Sequence, residues 1–417
     1  MSKAHQAHPF ATVEAAADSD QTCDVLIAGA GPAGADLARR LAQTGAQVVL
    51  IDSLPNLRRA AFSSAALPWQ AVQEHGLPEA VVAARWDRWL LLGPGAQRRE
   101  WAAASAGEPL GAVLDFGALR DWLAQRAVEA GAALHLGWRA ERWQHDGDGA
   151  RTLVRDPQGR QHWLRSRWLV DATGQARTLI GDPEPRHGAL VDGAGVEWLL
   201  ELPLAQWQPW ADRLTFLMGS DWVPQGYGWV FPMAPGQLKI GVCRLRDPNR
   251  QQPPLGTLLQ RVLQRLALGP AAVLDRHGGL IRSTIRRREP HQDGALLGLG
   301  DAVSTANLLG GEGIRHALSS SAVLAPLLQQ ALAGRPDSLA AYPAQLRRRL
   351  GWRWSLSGRL AQRTWLGLHT DAADGRLQRL LTGLERTASA EDLSALLFAY
   401  RFERYGLRAL PYLLGLR

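Results

Sequence analysis

The sequence is poor in cysteine and in lysine, and the scarcity of cysteine excludes two classes of protein. Its 417 residues include two cysteines, Cys23 and Cys243, which excludes a disulfide scaffold and a cysteine-rich zinc or iron–sulfur site. We expect both to be plain buried strand residues and expect no metal site, with one disulfide between them as the alternative. Lysine occurs only as Lys3 and Lys239, so the basic character of the chain comes from arginine.

Long apolar runs are also absent. No stretch reaches the roughly 18 uninterrupted apolar residues that a membrane-spanning helix needs. Residues 1–22 lack the apolar centre of a signal peptide, so we interpret them as a mobile leader and expect a cytoplasmic protein. Hydrophobic residues make up 46% and charged residues 21% of the chain, the balance of a globular protein.

The net charge of +8 is concentrated near the C-terminal end. Residues 346–417 carry 13 arginines and 6 acidic residues, a net charge of 13 − 6 = +7. No nucleic-acid-binding module is recognisable, so we expect no nucleic-acid partner. Within this segment Leu346, Leu350, Leu360 and Trp365 share an apolar stripe flanked by arginines. That stripe either lies on an anionic membrane surface or packs on the protein body.

A glycine fingerprint follows the first predicted strand. Residues 24–28 read as a strand, residues 35–44 as a helix and residues 47–51 as a second strand that ends at Asp52. The turn between the first strand and the helix, residues 29–34, has the sequence Gly-Ala-Gly-Pro-Ala-Gly. Because this GxGxxG lies between a strand and a helix in a compact βαβ unit, it indicates dinucleotide binding.

Each position of the fingerprint has a physical role. Gly29 allows the tight turn, Gly31 lets the backbone approach a pyrophosphate, and Gly34 lets the helix pack closely on the sheet. The helix N-terminus offers N–H groups to the phosphates, and Asp52 is placed to accept hydrogen bonds from the ribose. The expected cofactor contacts in this unit are Gly29, Gly31, Pro32, Ala33, Gly34 and Asp52.

Two later strands also end in polar motifs, Asp171-Ala-Thr-Gly174 and Gly300-Asp301. Their return after an inserted sheet resembles the FAD-dependent hydroxylase and reductase superfamily. In that superfamily the late Gly-Asp contacts the flavin, and the helix that follows faces the isoalloxazine ring. The resemblance implies FAD as cofactor and a further set of contacts, namely Gly300, Asp301, Gly311, Gly313 and Ile314. A second GxGxxG is absent, so the reductant is expected to be external, NADPH or a ferredoxin-type protein.

Three passages resemble the geranylgeranyl reductase family more narrowly. Residues 224–232, Pro-Gln-Gly-Tyr-Gly-Trp-Val-Phe-Pro, are similar to the family's P-x-G-Y-x-W-x-F-P, and residues 301–315 are similar to its G-D-A…G-E-G-I motif. The opening fingerprint is the third passage, and the resemblance spans about residues 24–345. It implies a flavin-dependent reductase that acts on a lipophilic isoprenoid substrate.

The resemblance implies a substrate site and leaves its residues open. Tyr227, Trp229 and Phe231 alternate along a predicted strand, so they share one face. They either form an apolar wall for a prenyl chain or belong to ordinary core. Glu312 is the candidate proton donor, with a helix-capping carboxylate as the alternative.

The chain departs from the family pattern at three places. Ser63, Ser64 and Ala65 stand where the family has Cys-Gly-Gly, Phe116 replaces an arginine, and Leu308 replaces the proline of an Asn-Pro pair. These departures leave other functions open: a lycopene-cyclase-like enzyme without net redox change, an FAD-dependent monooxygenase, or a flavoprotein that serves only in binding.

The expected fold class is α/β. A Rossmann-type FAD-binding domain comprises residues 23–185 and 285–345, and an antiparallel-sheet substrate domain is inserted as residues 186–284. A helical, arginine-rich C-terminal segment follows as residues 346–417.

Overall fold

The computed structural model describes residues 21–59, 63–105, 107–269, 271–285 and 288–405. Residues 1–20 of the expected leader therefore lie outside the described residues, and residues 21 and 22 open the first strand. In chain order the strands are β1 (Gln21–Ala28), β2 (Val48–Asp52), β3 (Ala66–Pro68), β4 (Val82–Trp86), β5 (Arg88–Leu92), β6 (Arg98–Ala102), β7 (Gly111–Leu114), β8 (Ala133–Leu136), β9 (Arg139–Asp146), β10 (Gly149–Arg155), β11 (Gln161–Asp171), β12 (Leu190–Glu201), β13 (Arg213–Met218), β14 (Gly226–Pro232), β15 (Gln237–Leu245), β16 (Ala272–Thr284), β17 (Gln292–Asp293) and β18 (Leu296–Gly298). The helices are α1 (Pro32–Ala42), α2 (Trp69–Glu74), α3 (Phe116–Glu129), α4 (Leu204–Trp207), α5 (Leu255–Arg265), α6 (Ile314–Leu332), α7 (Tyr342–Gly367), α8 (Asp371–Thr387) and α9 (Ala390–Phe398).

A parallel sheet with the order β18-β11-β1-β2-β8 forms the centre of the first layer. The hairpin β9-β10 and the short strand β17 extend it by antiparallel pairing. Helices α1, α3 and α6 pack together beside this sheet. Polar motifs follow β1, β2, β11 and β18, so the carboxyl ends of these parallel strands bring them to one edge, where α/β sheets bind ligands. The expected α/β class is confirmed.

Local interactions at the N-terminus explain where helices α1 and α3 begin. Helix α1 begins at Pro32, whose fixed φ suits the first helical position, rather than at residue 35 as the sequence pattern indicated. Helix α3 begins at Phe116 because the Asp115 side chain accepts a hydrogen bond from the Ala118 N–H at 2.9 Å. Its start brings Phe116 into the helix.

A second sheet has the order β16-β12-β15-β14-β13-β5-β6. All its neighbours are antiparallel except β13 and β5, which are parallel. Strands β5 and β6 precede residue 186, so the sheet extends beyond the expected insertion of residues 186–284. The sequence pattern did not reveal this because pairing between β5 and β13 joins segments more than 100 residues apart.

The C-terminal segment packs on the protein body. Helix α7 is interrupted at Gly351, whose φ is +81°. The expected apolar stripe on α7 faces the protein body: Leu346 and Trp365 lie in hydrophobic clusters, Leu350 packs against one of these clusters, and Leu360 is buried. Of the two interpretations of this stripe, packing on the body is the one that the structure shows. Within the described ranges, no helix combines the length and the apolar character needed to cross a bilayer.

Candidate active site

The glycine fingerprint forms a tight turn whose far side is open. A Cβ at Gly29, where φ is +109°, would lie 2.3 Å from the Ala172 carbonyl oxygen, and one at Gly34 would lie 2.0 Å from the Gly29 oxygen. A Cβ at Gly31, by contrast, would have no protein atom within 4 Å. Gly31 is the N-cap of α1, and no side chain caps this helix. The helix N-terminus therefore keeps N–H groups and space for an anionic ligand.

Asp52 lies beside this turn. Its Oδ2 accepts a hydrogen bond from the Ala30 N–H at 2.8 Å, and its Oδ1 accepts one from the Leu54 N–H at 2.9 Å. The buried Arg120 of α3 lies 3.5 Å from Oδ2. Burial lowers the pKa of Arg120, and the Asp52 charge opposes that shift. Arg120 was not among the predicted site residues, although an arginine inside the apolar pattern of α3 was the available signal.

The late Gly-Asp turn lies against the first helix of the chain. A Cβ at Gly300 would lie 2.9 Å from the Cβ of Ala33. Asp301 accepts a hydrogen bond from the Thr305 hydroxyl at 2.8 Å, and burial raises the pKa of its carboxyl group. The two motifs are thus brought together from opposite ends of the expected FAD-binding domain.

A buried ion pair between Arg177 and Glu289 connects this turn to neighbouring segments. Arg177 Nη2 donates to Glu289 Oε2 and to Ser304 Oγ, each at 2.7 Å. The Thr284 hydroxyl donates to the other oxygen of Glu289 at 3.1 Å. This ion pair joins the loop after β11, the end of β16 and the late Gly-Asp turn, and no local sequence pattern indicates it.

One cavity brings most of the predicted site residues together. Those that line it are Pro32, Tyr227, Trp229, Phe231, Asp301, Gly311, Glu312, Gly313 and Ile314. The remaining predicted residues are not among those that line this cavity: Gly29, Gly31, Ala33, Gly34, Asp52 and Gly300. The five residues at which the chain departs from the family pattern also line this cavity, namely Ser63, Ser64, Ala65, Phe116 and Leu308.

Tyr227, Trp229 and Phe231, hereafter the aromatic wall, belong both to the core and to the lining of the cavity. Each is less than 10% exposed and packs in a hydrophobic cluster. The Trp229 indole N–H donates to the buried Glu197 at 2.8 Å. Its ring lies over Gly241, where a Cβ would come within 2.1 Å of it. The ring of Trp229 is therefore held in one orientation.

Glu312 is held as a carboxylate. Arg315 donates to it from two nitrogens, and the Tyr400 hydroxyl donates to its Oε2 at 2.8 Å. Burial disfavours the ionised form, but the charges of Arg315 and His316, with their hydrogen bonds, outweigh burial and lower the pKa of Glu312 to about 2. A carboxyl group with that pKa carries no proton at neutral pH. The geometry therefore argues against Glu312 as proton donor and favours an anchoring role.

Several lining residues were not expected from the sequence. Cys243 lies opposite Tyr227 in the register of β14 and β15, and burial raises the pKa of its thiol to about 12. Both cysteines are free and only partly buried. The C-terminal helices contribute Trp365, Leu397 and Phe398 to the cavity.

A second, almost wholly apolar cavity adjoins the first. The residues that line both are Phe216, Tyr227, Gly310, Trp365 and Leu397. Helices α7, α8 and α9 supply much of the second cavity, through Leu360, Leu377, Leu381 and Leu393 among others. The two cavities together offer an extended apolar space next to the glycine loop before α6. In the described part of the chain no group of three His, Cys, Asp or Glu side chains could hold a metal ion.

Comparison with known sequences identifies reductases as relatives. The family model described as lycopene cyclase protein matches residues 24–198. Digeranylgeranylglycerophospholipid reductase 1 of Methanopyrus kandleri is 27% identical over 311 residues, which cover 71% of this chain and 77% of the relative. The menaquinone reductase of Mycobacterium tuberculosis is 28% identical over 359 residues, which cover 82% and 84%.

Solved structures share the fold. A geranylgeranyl bacteriochlorophyll reductase-like protein from Thermoplasma acidophilum superposes with a TM-score of 0.77 at 19% identity, covering 93% of this chain and 99% of that one. The p-nitrophenol 4-monooxygenase of Pseudomonas putida has a TM-score of 0.68 at 16% identity, covering 90% and 96%. The resemblance to geranylgeranyl reductases and the enzyme class, an FAD-dependent oxidoreductase, are confirmed.

Proposed function

We propose that this relative of the geranylgeranyl reductases binds FAD and reduces carbon–carbon double bonds of a polyprenyl substrate. The observation that carries the proposal is the cavity that Pro32, Asp301 and the glycine loop before α6 line together with the aromatic wall. The names of the relatives, which are reductases of geranylgeranyl lipids and of menaquinone, support the same substrate class.

The residues present fit FAD. A Cβ at Gly31 would stand in open space, and the N-termini of α1 and α6 have no side-chain cap, which leaves both available to an anionic ligand. The residues that would hold FAD are Gly29, Gly31, Pro32, Ala33, Gly34, Asp52, Gly300, Asp301, Gly311, Gly313 and Ile314. When bound and reduced, FAD supplies a hydride.

The chain's own side chains position the substrate. Tyr227, Trp229 and Phe231 would contact the polyprenyl chain, and the second cavity would take its remaining length. Among the lining residues Gly311 is exposed to solvent. Because Glu312 is ionised, we expect water that enters beside Gly311 to supply the proton for the second carbon.

The electrons come from outside the chain. The sequence has one GxGxxG only, so NADPH or a ferredoxin-type protein delivers them in a transient contact. We propose that the protein is cytoplasmic and contacts a membrane peripherally, because a polyprenyl substrate is met at a membrane. The exposed Trp352 beside Arg353 on α7 supports that contact, since tryptophan favours membrane interfaces.

A lycopene-cyclase-like reaction is the second candidate, favoured by the family match over residues 24–198. That match ends before β14, so it includes the fingerprint but none of the aromatic wall. It therefore supports the shared cofactor domain more than the reaction.

Product analysis separates the candidates. The FAD-loaded protein is reduced with dithionite under anaerobic conditions and offered geranylgeranyl compounds, and products are identified by mass. We expect a gain of two hydrogens. An isomer of unchanged mass would establish the cyclase instead, and a gain of one oxygen atom after air is admitted would establish a monooxygenase.

A further inference from the structure

One face of the second sheet connects the two cavities. Residues opposite each other on neighbouring strands share a face, and the strand register places Phe216 of β13 opposite Trp229. Phe216 also lies opposite Leu91 of β5, and both of these residues line the second cavity. The ring centroid of Phe216 is 5.7 Å from that of Tyr227 and 5.4 Å from that of Phe231. A substrate chain can therefore follow one continuous apolar surface from the aromatic wall into the second cavity.

In the described part of the chain, Gly310 is the smallest residue that lines both cavities. The others are Phe216, Tyr227, Trp365 and Leu397. The Trp365 indole N–H donates to the Leu309 carbonyl oxygen at 3.1 Å, and its ring centroid lies 5.0 Å from that of Tyr227. Large side chains therefore surround the passage between the cavities, and Gly310 contributes no side chain to it.

The backbone does not require a glycine at position 310. The φ of Gly310 lies outside the left-handed region, unlike that of Gly311 at +65°. A Cβ at Gly310 would lie 3.1 Å from Leu397 Cδ1 and, apart from that side chain and its own chain neighbours, would have no described atom within 4 Å. A side chain at position 310 would thus project between two residues that line both cavities. Space in the passage, and not backbone strain, accounts for the glycine.

We propose, on the basis of the proposed function, that Gly310 keeps the passage between the two cavities open and so determines the longest prenyl chain that the site accepts. A short chain lies along the aromatic wall, whereas a longer one has to pass Gly310 to reach the leucines of α8 and α9. If the passage is blocked, the terminal isoprene units of a long chain stay in water. Each methylene group that is no longer buried then weakens binding.

The test compares prenyl alcohols that differ only in chain length: geraniol, farnesol and geranylgeraniol, with two, three and four isoprene units. Gly310→Leu puts a branched side chain into the passage, and Gly310→Ala adds one methyl group that meets only the flexible end of Leu397. Gly383→Leu is the matched control, because Gly383 of α8 lines neither cavity and a Cβ there would have no described atom within 4 Å. Dissociation constants for the FAD-loaded protein are measured beside KM and kcat.

We expect Gly310→Leu to raise the ratio of the geranylgeraniol dissociation constant to the geraniol dissociation constant at least about tenfold, since burial of two methylene groups is already worth about that factor. Farnesol should be intermediate, Gly310→Ala should change the ratio less in the same direction, and Gly383→Leu should match the wild type. Leu397→Ala combined with Gly310→Leu should recover part of the loss, because it removes the side chain that the new Cβ meets.

Three results would overturn the inference. One is an equal loss of affinity for all three alcohols, and another is an unchanged ratio in folded, FAD-loaded Gly310→Leu. The third is weaker FAD binding in Gly310→Leu, which would assign the position to the cofactor. If Gly310→Leu does not fold, Leu397→Trp narrows the same passage from the opposite side and has to raise the same ratio. If the wild type binds the alcohols but reduces none of them, the proposed function fails, while the dissociation constants still decide the role of Gly310.

Discussion

At the scale of single residues, Trp229 has a role that burial alone does not define. Its indole N–H donates a hydrogen bond to Glu197 and its ring packs over Gly241, yet the residue also lines the cavity. A ring that is fixed on its polar edge and open on one side suits a wall against which a flexible chain is aligned.

Trp229→Ala should therefore lose substrate binding far more than stability. Truncating a fully enclosed tryptophan costs roughly 3–5 kcal/mol, and a ring that already borders a cavity costs less. Trp86, which is 1% exposed and lines neither cavity described above, provides the matched control. Thermal midpoints with FAD bound and prenyl binding are measured for both variants. If Trp229→Ala loses stability and binding in the same proportion as Trp86→Ala, the ring is ordinary core.

Glu312 gives a prediction about pH. Its pKa in the folded protein, about 2, lies below the usual value of about 4.3. Its ionised form therefore stabilises the fold fully above about pH 4.3, and this contribution disappears as the pH falls towards 2. Urea unfolding should show Glu312→Gln less stable than the wild type by a constant difference from pH 5 to 8, with a smaller difference below pH 4.

The same variant tests whether Glu312 supplies a proton. Glutamine keeps the shape of the side chain and carries no acidic proton. We expect the folded fraction of Glu312→Gln to retain turnover, with an unchanged pH profile. Loss of turnover in a folded, FAD-loaded variant would restore Glu312 as the acid.

At the scale of elements, two glycines of the turn between β1 and α1 have different roles: Gly34 is needed for packing and Gly31 for ligand binding. A Cβ at Gly34 collides with the Gly29 carbonyl, whereas one at Gly31 meets no protein atom. The extended backbone of Gly31, with φ of −72°, suits any residue. The fold itself therefore needs Gly34, and only the ligand needs Gly31.

Gly31→Val should fold normally and lose FAD. We expect the apoprotein to keep the wild-type thermal midpoint to within a few degrees, while the FAD-to-protein ratio of the purified variant falls close to zero. Gly34→Val should instead lower the midpoint of the apoprotein strongly. Wild-type FAD content in Gly31→Val would show that no pyrophosphate lies over this turn.

The elements also show how far sequence reasoning reached. The glycine fingerprint, Asp52 and the late Gly-Asp turn were predictable because each is a local pattern tied to a strand end. The pairing of β5 with β13 and the Arg177–Glu289 ion pair were not, since they depend on contacts between distant segments. Local patterns cannot report such contacts.

At the scale of the whole molecule, the cavity is assembled from four separate parts of the chain. The N-terminal part brings Pro32 and four of the five substituted positions, and the second sheet brings the aromatic wall. The segment between β18 and α6 brings Leu308 and the glycine loop, and the C-terminal helices bring Trp365 and Phe398. The arginine-rich composition of the last part predicts only a helical C-terminal segment. Its leucines instead enclose the apolar space beside the proposed cofactor site.

The central claim is that electrons pass from reduced FAD to a polyprenyl double bond in this cavity, and anaerobic flavin reoxidation measures that transfer directly. The FAD-loaded protein is reduced with dithionite to a stoichiometric end point and mixed with either a geranylgeranyl lipid or its fully saturated phytanyl analogue. We predict that flavin absorbance returns with the unsaturated lipid only, and that it returns more slowly in Trp229→Ala. Absorbance that stays bleached with both lipids, although both bind, would contradict the account.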